Sequence, residues 1–476
     1  MMGITRREFV ELLGLTASSH MATAAQTRTA QRPNIVLLLG DDHRADALGC
    51  AGNRFVKTPH LDAMAGEGLH FVNHFCTTPI CCVSRASIMT GQYAATHGIY
   101  DFATPLSPAQ VQRSYFGQMR RNGYYTGFLG KFGVGATMPA DAFDVWKGFG
   151  GQGKYFPNGE PGPHLTDILS EQTTNFIRSA PRDRPFCLSV SYKAPHEQDE
   201  DPRTYLPSAT TLARYAGMNP PLPQGAPESD IERFPLPIQR SENRRRWSTR
   251  YTTTKLRQET MKGYYALITG IDDAVGALRK ELSAQGLADN TVILYSADHG
   301  VYHGEHGFAG KWYAHEEPTR IPLIVFDPRS AASRKGVRVS DPTLNLDLHP
   351  TLLDLAGIPL PGGTHGRSLL STMRGSAPGP QRAWYVEHKF PDAGLIPSSR
   401  AVRSLHWKYI QYTDNAAPFE EIYDLRNDPH EVKNLAVDAS HQGMLAKLRA
   451  QCDTWSKSFA AGDAWREPLG AADLEA

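Results

Sequence analysis

The chain has 476 residues, 40% of them hydrophobic, which is enough for a large buried core beside a smaller second domain and excludes an intrinsically disordered protein. Its 50 basic and 49 acidic side chains leave a net charge of +1, so no overall field draws it to nucleic acid or to an anionic membrane, and an anionic ligand must be held by local groups. No uninterrupted apolar run approaches the roughly 18 residues that span a bilayer.

The first residues carry the pair Arg6-Arg7, a modest apolar stretch through Leu13 and the small-residue run Ala22-Thr23-Ala24. This pattern is similar to a twin-arginine export signal, so residues 1–31 read as signal peptide and linker, and the mature protein as periplasmic or extracellular. The cysteines, Cys50, Cys76, Cys81, Cys82, Cys187 and Cys452, are too scattered for a disulfide framework. Cys187 lies in an apolar run and reads as a buried thiol.

Asn34 to Gly40 (NIVLLLG) predicts a strand that ends in Asp41-Asp42. Next comes Cys81-Cys82-Val83-Ser84-Arg85, opening a short helix closed by Gly91. A helix N-terminus lowers a thiol's pKa and favours an anion, and Arg85 stands one turn on to hold that anion. Tyr124 to Leu129 predicts a strand running into Gly130-Lys131, and Phe186 to Tyr192 one that ends shortly before Pro195-His196.

From Glu197 to Thr254 the chain turns acidic, then proline-rich, then basic at Arg244-Arg245-Arg246-Trp247. This predicts a long loop, which either folds over a site with arginine forks and Trp247 as a stacking surface or is a solvated insertion. Met261, Tyr265, Ile268, Ile271, Val275, Leu278 and Leu282 recur at helical spacing and predict a packed helix. Thr291 to Ala297 is a further strand ending in Asp298-His299, and Leu344 to Ala356 a helix ending at Gly357. Residues 32–372 form the larger domain on this reading, with 197–254 as an insertion. Residues 373–476 form a small α+β domain, with strands near Ala383–Glu387 and Lys408–Tyr412 and a helix presenting Leu445, Leu448, Cys452, Trp455 and Phe459.

Strands alternating with helices predict an α/β fold with a mostly parallel, covered sheet, in which ligands bind outside the carboxyl ends of the strands. The polar tips at Asp41-Asp42, Lys131, His196 and Asp298 then converge on one site. Asp41-Asp42 alone is explained by helix capping, but a third carboxylate at a neighbouring tip points to a hard divalent cation.

These residues resemble the sulfatase family of the alkaline-phosphatase superfamily, whose signature C-x-P-S-R is followed by a helix and T-G; here it stands as Cys81 to Arg85 with Thr90-Gly91. Pro33 to Asp42, Thr58 to Asp62, Gly130-Lys131, Ser296 to Gly300, Gly304 to Gly307, Gly310 to Tyr313, Arg320 to Val325, Glu421 to Leu425 and Asn427 to Pro429 match it as well. The resemblance implies an alkaline-phosphatase-like fold: a mixed, mostly parallel central sheet flanked by helices, with a smaller C-terminal α+β domain. It implies that a maturation enzyme oxidises Cys81 to formylglycine. One hydroxyl of the hydrated aldehyde attacks sulfur and the other later expels sulfate. By the same resemblance Asp41, Asp42, Asp298, His299 and the modified Cys81 hold one calcium ion. Arg85 and Lys131 bind the nucleophile and sulfate, and Lys311 and His196 attend the departing alkoxide.

Two positions depart from the family. Val83 stands where the signature has proline or alanine, and Gly133 stands where many members carry a histidine that assists sulfate release; either one of His303, His306 and His315 substitutes for it or turnover is slow. The function implied is hydrolysis of sulfate esters on a sulfated carbohydrate, with Arg244, Arg245, Arg246, Trp247 and His315 as substrate contacts. Cleavage of phosphonate monoesters or phosphodiesters is the alternative on the same fold, and an inactive sulfated-glycan-binding protein is another. Oligomeric state is not legible.

Overall fold

The protein is described here by a computed structural model covering residues 32–199, 201–376, 382–390, 395–414 and 418–460. The expected export segment, residues 1–31, lies outside the described residues.

Eight strands form the main sheet: β1 (Asn34–Gly40), β2 (Leu69–Phe71), β3 (Tyr125–Lys131), β4 (Val145–Phe149), β5 (Phe186–Ser191), β6 (Thr291–Ala297), β7 (Leu323–Phe326) and β8 (Val337–Val339). Their order is β8-β2-β7-β6-β1-β5-β3-β4. Every neighbouring pair is parallel except those of β7, which runs antiparallel to both β6 and β2. All seven residues of β1 are buried, as a central strand covered on both faces requires, which explains why its sequence is a continuous apolar run rather than an alternating one.

Register decides where the polar tips fall. Gly40 pairs with Ala297, so Asp41 and Asp298 leave adjacent strands side by side. Ser191 lies opposite Leu39 on one side and Gly130 on the other, which puts Lys131 at the same edge. Gly130 has φ +95, and a Cβ there would lie 2.0 Å from the Ser191 carbonyl oxygen, so only glycine allows this approach of β3 to β5.

The principal helices are α1 (Cys81–Thr90), α2 (Leu165–Ser179), α3 (Glu242–Arg250), α4 (Thr254–Ala284), α5 (Leu348–Leu355) and α6 (Gln442–Ala460). The whole predicted apolar stripe of α4 is buried. The helix expected from Leu344 begins later, at Leu348, after a turn at Asn345–Asp347. Pro350 has no N–H to donate and is tolerated only in a first turn, so the helix cannot start a full turn earlier. The expected long loop 197–254 is also corrected: it carries the helices Ala209–Ala213 and Leu236–Gln239 and then α3, which contains Arg244 to Trp247.

The C-terminal sheet has consecutive antiparallel strands β9 (Trp384–His388), β10 (Ser399–Arg403), β11 (Trp407–Tyr412) and β12 (Phe419–Asp424), backed by α6. Its apolar cluster is continuous with Ile80, Cys82 and Val83 of the α1 start and with Trp312-Tyr313. The small sheet therefore braces the segment that presents Cys81, and Val83 serves as a core residue, 1% exposed.

Candidate active site

Cys81 is the first residue of α1, after Ile80, whose side chain cannot cap the helix, so the first N–H groups remain available to an anion. Around its Sγ stand His299 Nε2 at 3.3 Å, Lys311 Nζ at 3.4 Å and Asp41 Oδ1 at 3.4 Å. Asp41 Oδ2 accepts from Lys131 Nζ and lies 3.3 Å from Arg85 Nη2. Asp42 Oδ1 accepts from Lys311 Nζ at 2.7 Å and lies 3.2 Å from His299 Nδ1, while its Oδ2 is 3.8 Å from His196 Nε2. Asp298 accepts from Arg85 Nε at 2.8 Å and from the His299 amide at 2.9 Å. The four strand tips thus meet, and Cys81, Asp41, Lys131, Asp298 and His299 are all 0% exposed.

Two bends in this region are strained. Asp42 has φ 66 and Trp312 φ 84, left-handed conformations rare for such residues, and both flank the Asp42–Lys311 pair.

Charge opposes burial throughout. Burial works to raise the Asp41 pKa, yet Lys131, His196, Arg85 and Lys311 together hold it well below the usual carboxylate range. Asp298 moves the other way, raised by burial and by the negative charge of Asp41. Burial disfavours the charged forms of Lys131 and Lys311, but Asp41 raises the first and Asp42 the second. His196 is held well below its ordinary value by burial and by Lys311. Burial works to lower the His299 pKa, yet Asp298, Cys81 and Asp42 together push it up to about 9.

Asp41, Asp42, Cys81 and His299 bring ligand atoms within 4.8 Å of one another and could hold a metal ion. Asp298, expected in the same set, stands beside this group with its Oδ2 turned to Arg85. Arg85 Nη1 donates to the Lys131 carbonyl at 2.6 Å and to Ser191 Oγ, whereas Nη2 has no aligned acceptor and points into the site. A buried guanidinium N–H left free in this way fits an anionic oxygen.

Gly133 has φ +73, and a Cβ there would lie 2.8 Å from Arg85 Cδ. The Arg85 side chain occupies the space a larger residue would need.

Several sequence expectations are corrected. His315 is buried beneath the C-terminal sheet, its Nδ1 2.6 Å from Tyr302 Oη and its ring stacked on His306 at 4.2 Å. His306 pairs with Asp230 at 2.6 Å and His303 with Tyr251 at 2.7 Å, so none of the three substitutes at Cys81. Arg244 stacks on Trp247 at 3.8 Å and donates to the Gly307 carbonyl, and Arg245 pairs with Glu242. Of the expected substrate contacts, Arg246 alone comes up to the residues around the site, and it pairs there with Glu197.

Four further residues were not singled out from sequence. Gln152 accepts from Lys131 Nζ at 2.5 Å, Ser191 takes Arg85, and Lys193 and Glu197 flank His196. Gln152 follows β4 in a glycine-rich stretch, so the rule of strand carboxyl ends pointed there too. Lys193 has its pKa lowered to about 8 by burial and by Lys131.

The family described as Sulfatase matches residues 33–358, and the one described as N-sulphoglucosamine sulphohydrolase, C-terminal, matches 304–458. An N-acetylglucosamine-6-O-sulfatase of Bacteroides thetaiotaomicron is 26% identical over 95% of this chain and 91% of its own. An ulvan-active sulfatase of Formosa agariphila is 30% identical, over 92% of this chain and 83% of its own. A solved structure in complex with its substrate D-glucosamine-2-N,6-O-disulfate aligns with a TM-score of 0.77 at 25% identity, covering 91% of this chain and 99% of the other. A phosphonate monoester hydrolase of Agrobacterium radiobacter shares the fold, with a TM-score of 0.74 at 21% identity over 90% of this chain and 96% of its own.

Proposed function

The chain belongs to the sulfatase family and hydrolyses sulfate esters, and we propose that its substrate is a sulfated carbohydrate cleaved at Cys81 in its formylglycine form beside one calcium ion. The observation that carries this reading is the buried ring of Arg85, Lys131 and Lys311 around a cysteine at a helix N-terminus. The relatives that act on N-acetylglucosamine sulfate and on ulvan support the carbohydrate.

Formylglycine at position 81 supplies, as its hydrate, an oxygen nucleophile where the thiol now stands. Arg85 Nη2 and Lys131 Nζ point their donors to the same place and would bind sulfate oxygens. Lys311, within 3.4 Å of Sγ, and His196, across Asp42, would attend the departing alkoxide. Asp41, Asp42, Asp298 and His299 would hold the cation, whose chemistry is to orient the sulfate and offset its charge. The donor set fits a hard ion once Cys81 is converted to an oxygen-bearing residue: Asp41 and Asp42 converge with positions 81 and 299, Asp298 stands beside them, and the imidazole is then the one softer ligand.

Asp41, Asp42 and Asp298 are matched by Arg85, Lys131 and Lys311, so a divalent ion would leave the site positive and suited to an anionic ester; a sulfate ester, a phosphodiester and a phosphonate monoester are all singly charged, and turnover has to tell them apart. Parallel assays of matched aryl sulfate, phosphodiester and phosphonate monoester, on protein produced with a maturation enzyme, test the bond. Release of sulfate from 6-O-sulfated N-acetylglucosamine and from sulfated polysaccharides tests the substrate. The expected result is turnover of the sulfate ester and of at least one sulfated saccharide. Aryl sulfate turnover with no release from any saccharide would sink the carbohydrate reading.

Restoring the family's histidine should not help this enzyme. A side chain at Gly133 meets Arg85 and forces a left-handed residue, a strain of about 1–3 kcal/mol before the displaced guanidinium is considered. Gly133→His and Gly133→Ala are both expected to lower kcat/KM at least about 10-fold. A Gly133→His variant more active than the parent would show that Arg85 does not fill this space.

A further inference from the structure

The chain leaves His196 through Glu197, a carboxylate only 3% exposed. Both its oxygens are taken by guanidinium groups of α3, Oε1 by Arg246 and Oε2 by Arg250. Its main-chain carbonyl accepts from His196 Nδ1 at 2.7 Å and from Lys193 Nζ at 2.9 Å. Tyr155 Oη fixes the preceding carbonyl, that of His196, at 2.5 Å. A carbonyl can only accept, so neutral His196 carries its proton on Nδ1 and turns a bare Nε2 towards Asp42. The tautomer of His196 is therefore set by where Glu197 is held.

Arg246 also reaches the opposite wall. Its guanidinium lies 5.0 Å over the ring of Trp312, the residue after Lys311, and its Cδ is within 3.2 Å of where a Cβ on Gly310 would stand. A further donor, Nε, goes to Glu242 at 2.8 Å. Glu242 and Glu197 thus hold Arg246 through Nε and Nη1, which fixes the guanidinium in place. It touches the chain neighbours of both His196 and Lys311.

We propose that Arg246 and Glu197 form a clamp that fixes His196 in its Nδ1–H form and holds Trp312, and with it Lys311, across the leaving-group side of the site. Both are positioning residues, not contacts for the sulfated substrate. The proposal rests on the assignment of His196 and Lys311 to the departing alkoxide. Loss of the clamp lets the His196 ring turn or exchange tautomers. Esters with poor leaving groups suffer most, because their alkoxide must take a proton as it departs: with His196 Nε2 bare, Lys311 Nζ is the group that can give it, and the clamp holds both.

The test compares Arg246→Ala, Arg246→Lys and Glu197→Gln with the parent. Kinetics with 4-nitrophenyl sulfate, a good leaving group, and with a sulfated sugar, a poor one, are paired with nitrogen NMR of 15N-histidine-labelled protein. The His196 signal is assigned with a His196→Gln variant. In Arg246→Ala, kcat on the sugar sulfate is expected to fall about 10- to 100-fold, while KM and the aryl sulfate rate change by less than about 3-fold. Arg246→Lys should recover part of the loss, and the His196 signal should pass from the Nδ1–H form to a mixture. A uniform rise in KM for both esters with kcat retained would make Arg246 a substrate contact and overturn the proposal. So would an unaltered His196 tautomer with unaltered leaving-group dependence. If the parent cleaves neither ester while the His196 signal still shifts in Arg246→Ala, the assigned roles in sulfate ester cleavage fall and the clamp stands.

Discussion

Cys81→Ala is expected to abolish sulfate ester hydrolysis, with kcat falling on the order of 10,000-fold or more. The reason is geometric as well as chemical. Cys81 Sγ is the point towards which Lys311, His299 and the α1 N-terminus converge, and Asp41 beside it already engages Lys131. Alanine leaves these donors in place without a nucleophile, so affinity for a sulfated saccharide should survive while turnover does not. Mass spectrometry of the tryptic peptide Thr58–Arg85 supplies the independent readout, an aldehyde in place of the thiol after production with a maturation enzyme. Val83 bears on this result. It lies in the core shared with the C-terminal sheet, so in the folded protein the signature peptide is buried, and any oxidation of Cys81 is expected before folding. A Cys81→Ala variant retaining more than about 1% of parental activity would place the nucleophile elsewhere, and a thiol that persists in fully active protein would do the same.

Much of this site was legible before any coordinates because strands report their own ends. β1 and β6 have the bounds their apolar runs predicted, and each delivers a carboxylate at its tip. The convergence of those tips followed from the rule for parallel sheets, although the register that enforces it, Gly40 opposite Ala297, is a tertiary fact. What was not legible depends on pairing over distance. Arg244 to Trp247 read as an anion-binding run because the sequence does not show that Glu197, 49 positions before Arg246, returns to pair with it. His315 lies two residues after the matched run Gly310 to Tyr313, yet the C-terminal sheet closes over it and places Glu421 3.5 Å away. The strand β10, Ser399–Arg403, has two arginines in five residues and no apolar run; partners at Asp453 and Glu316 make it possible, and both are remote in sequence.

Removal of divalent cations is expected to cost this enzyme roughly 1,000-fold in activity, the several kcal/mol that a metal contributes to charge stabilisation at a reacting oxygen. Two observations favour a cation. Asp41, Asp42 and Asp298 are fully or almost fully buried within one site, and Asp298 is raised by burial and by Asp41, the signature of carboxylates that repel each other. The three basic side chains that neutralise them are also the ones available for the sulfate, and the remaining positive group, His299, is itself engaged with Asp42 and Asp298. A divalent ion resolves this conflict, because the carboxylates can be satisfied without spending Arg85, Lys131 and Lys311. Calcium added to chelated protein should therefore restore activity and also raise Tm by several degrees. An ion at 100 times its Kd adds about 2.7 kcal/mol to the folded state, and this second readout does not depend on turnover. Asp42→Asn should shift the calcium midpoint to at least about 10-fold higher concentration, since it weakens a ligand shared with Lys311 and His299. Should activity survive exhaustive chelation, and Tm ignore calcium in both parent and variant, then the basic side chains alone balance the carboxylates and bind the sulfate without a cation.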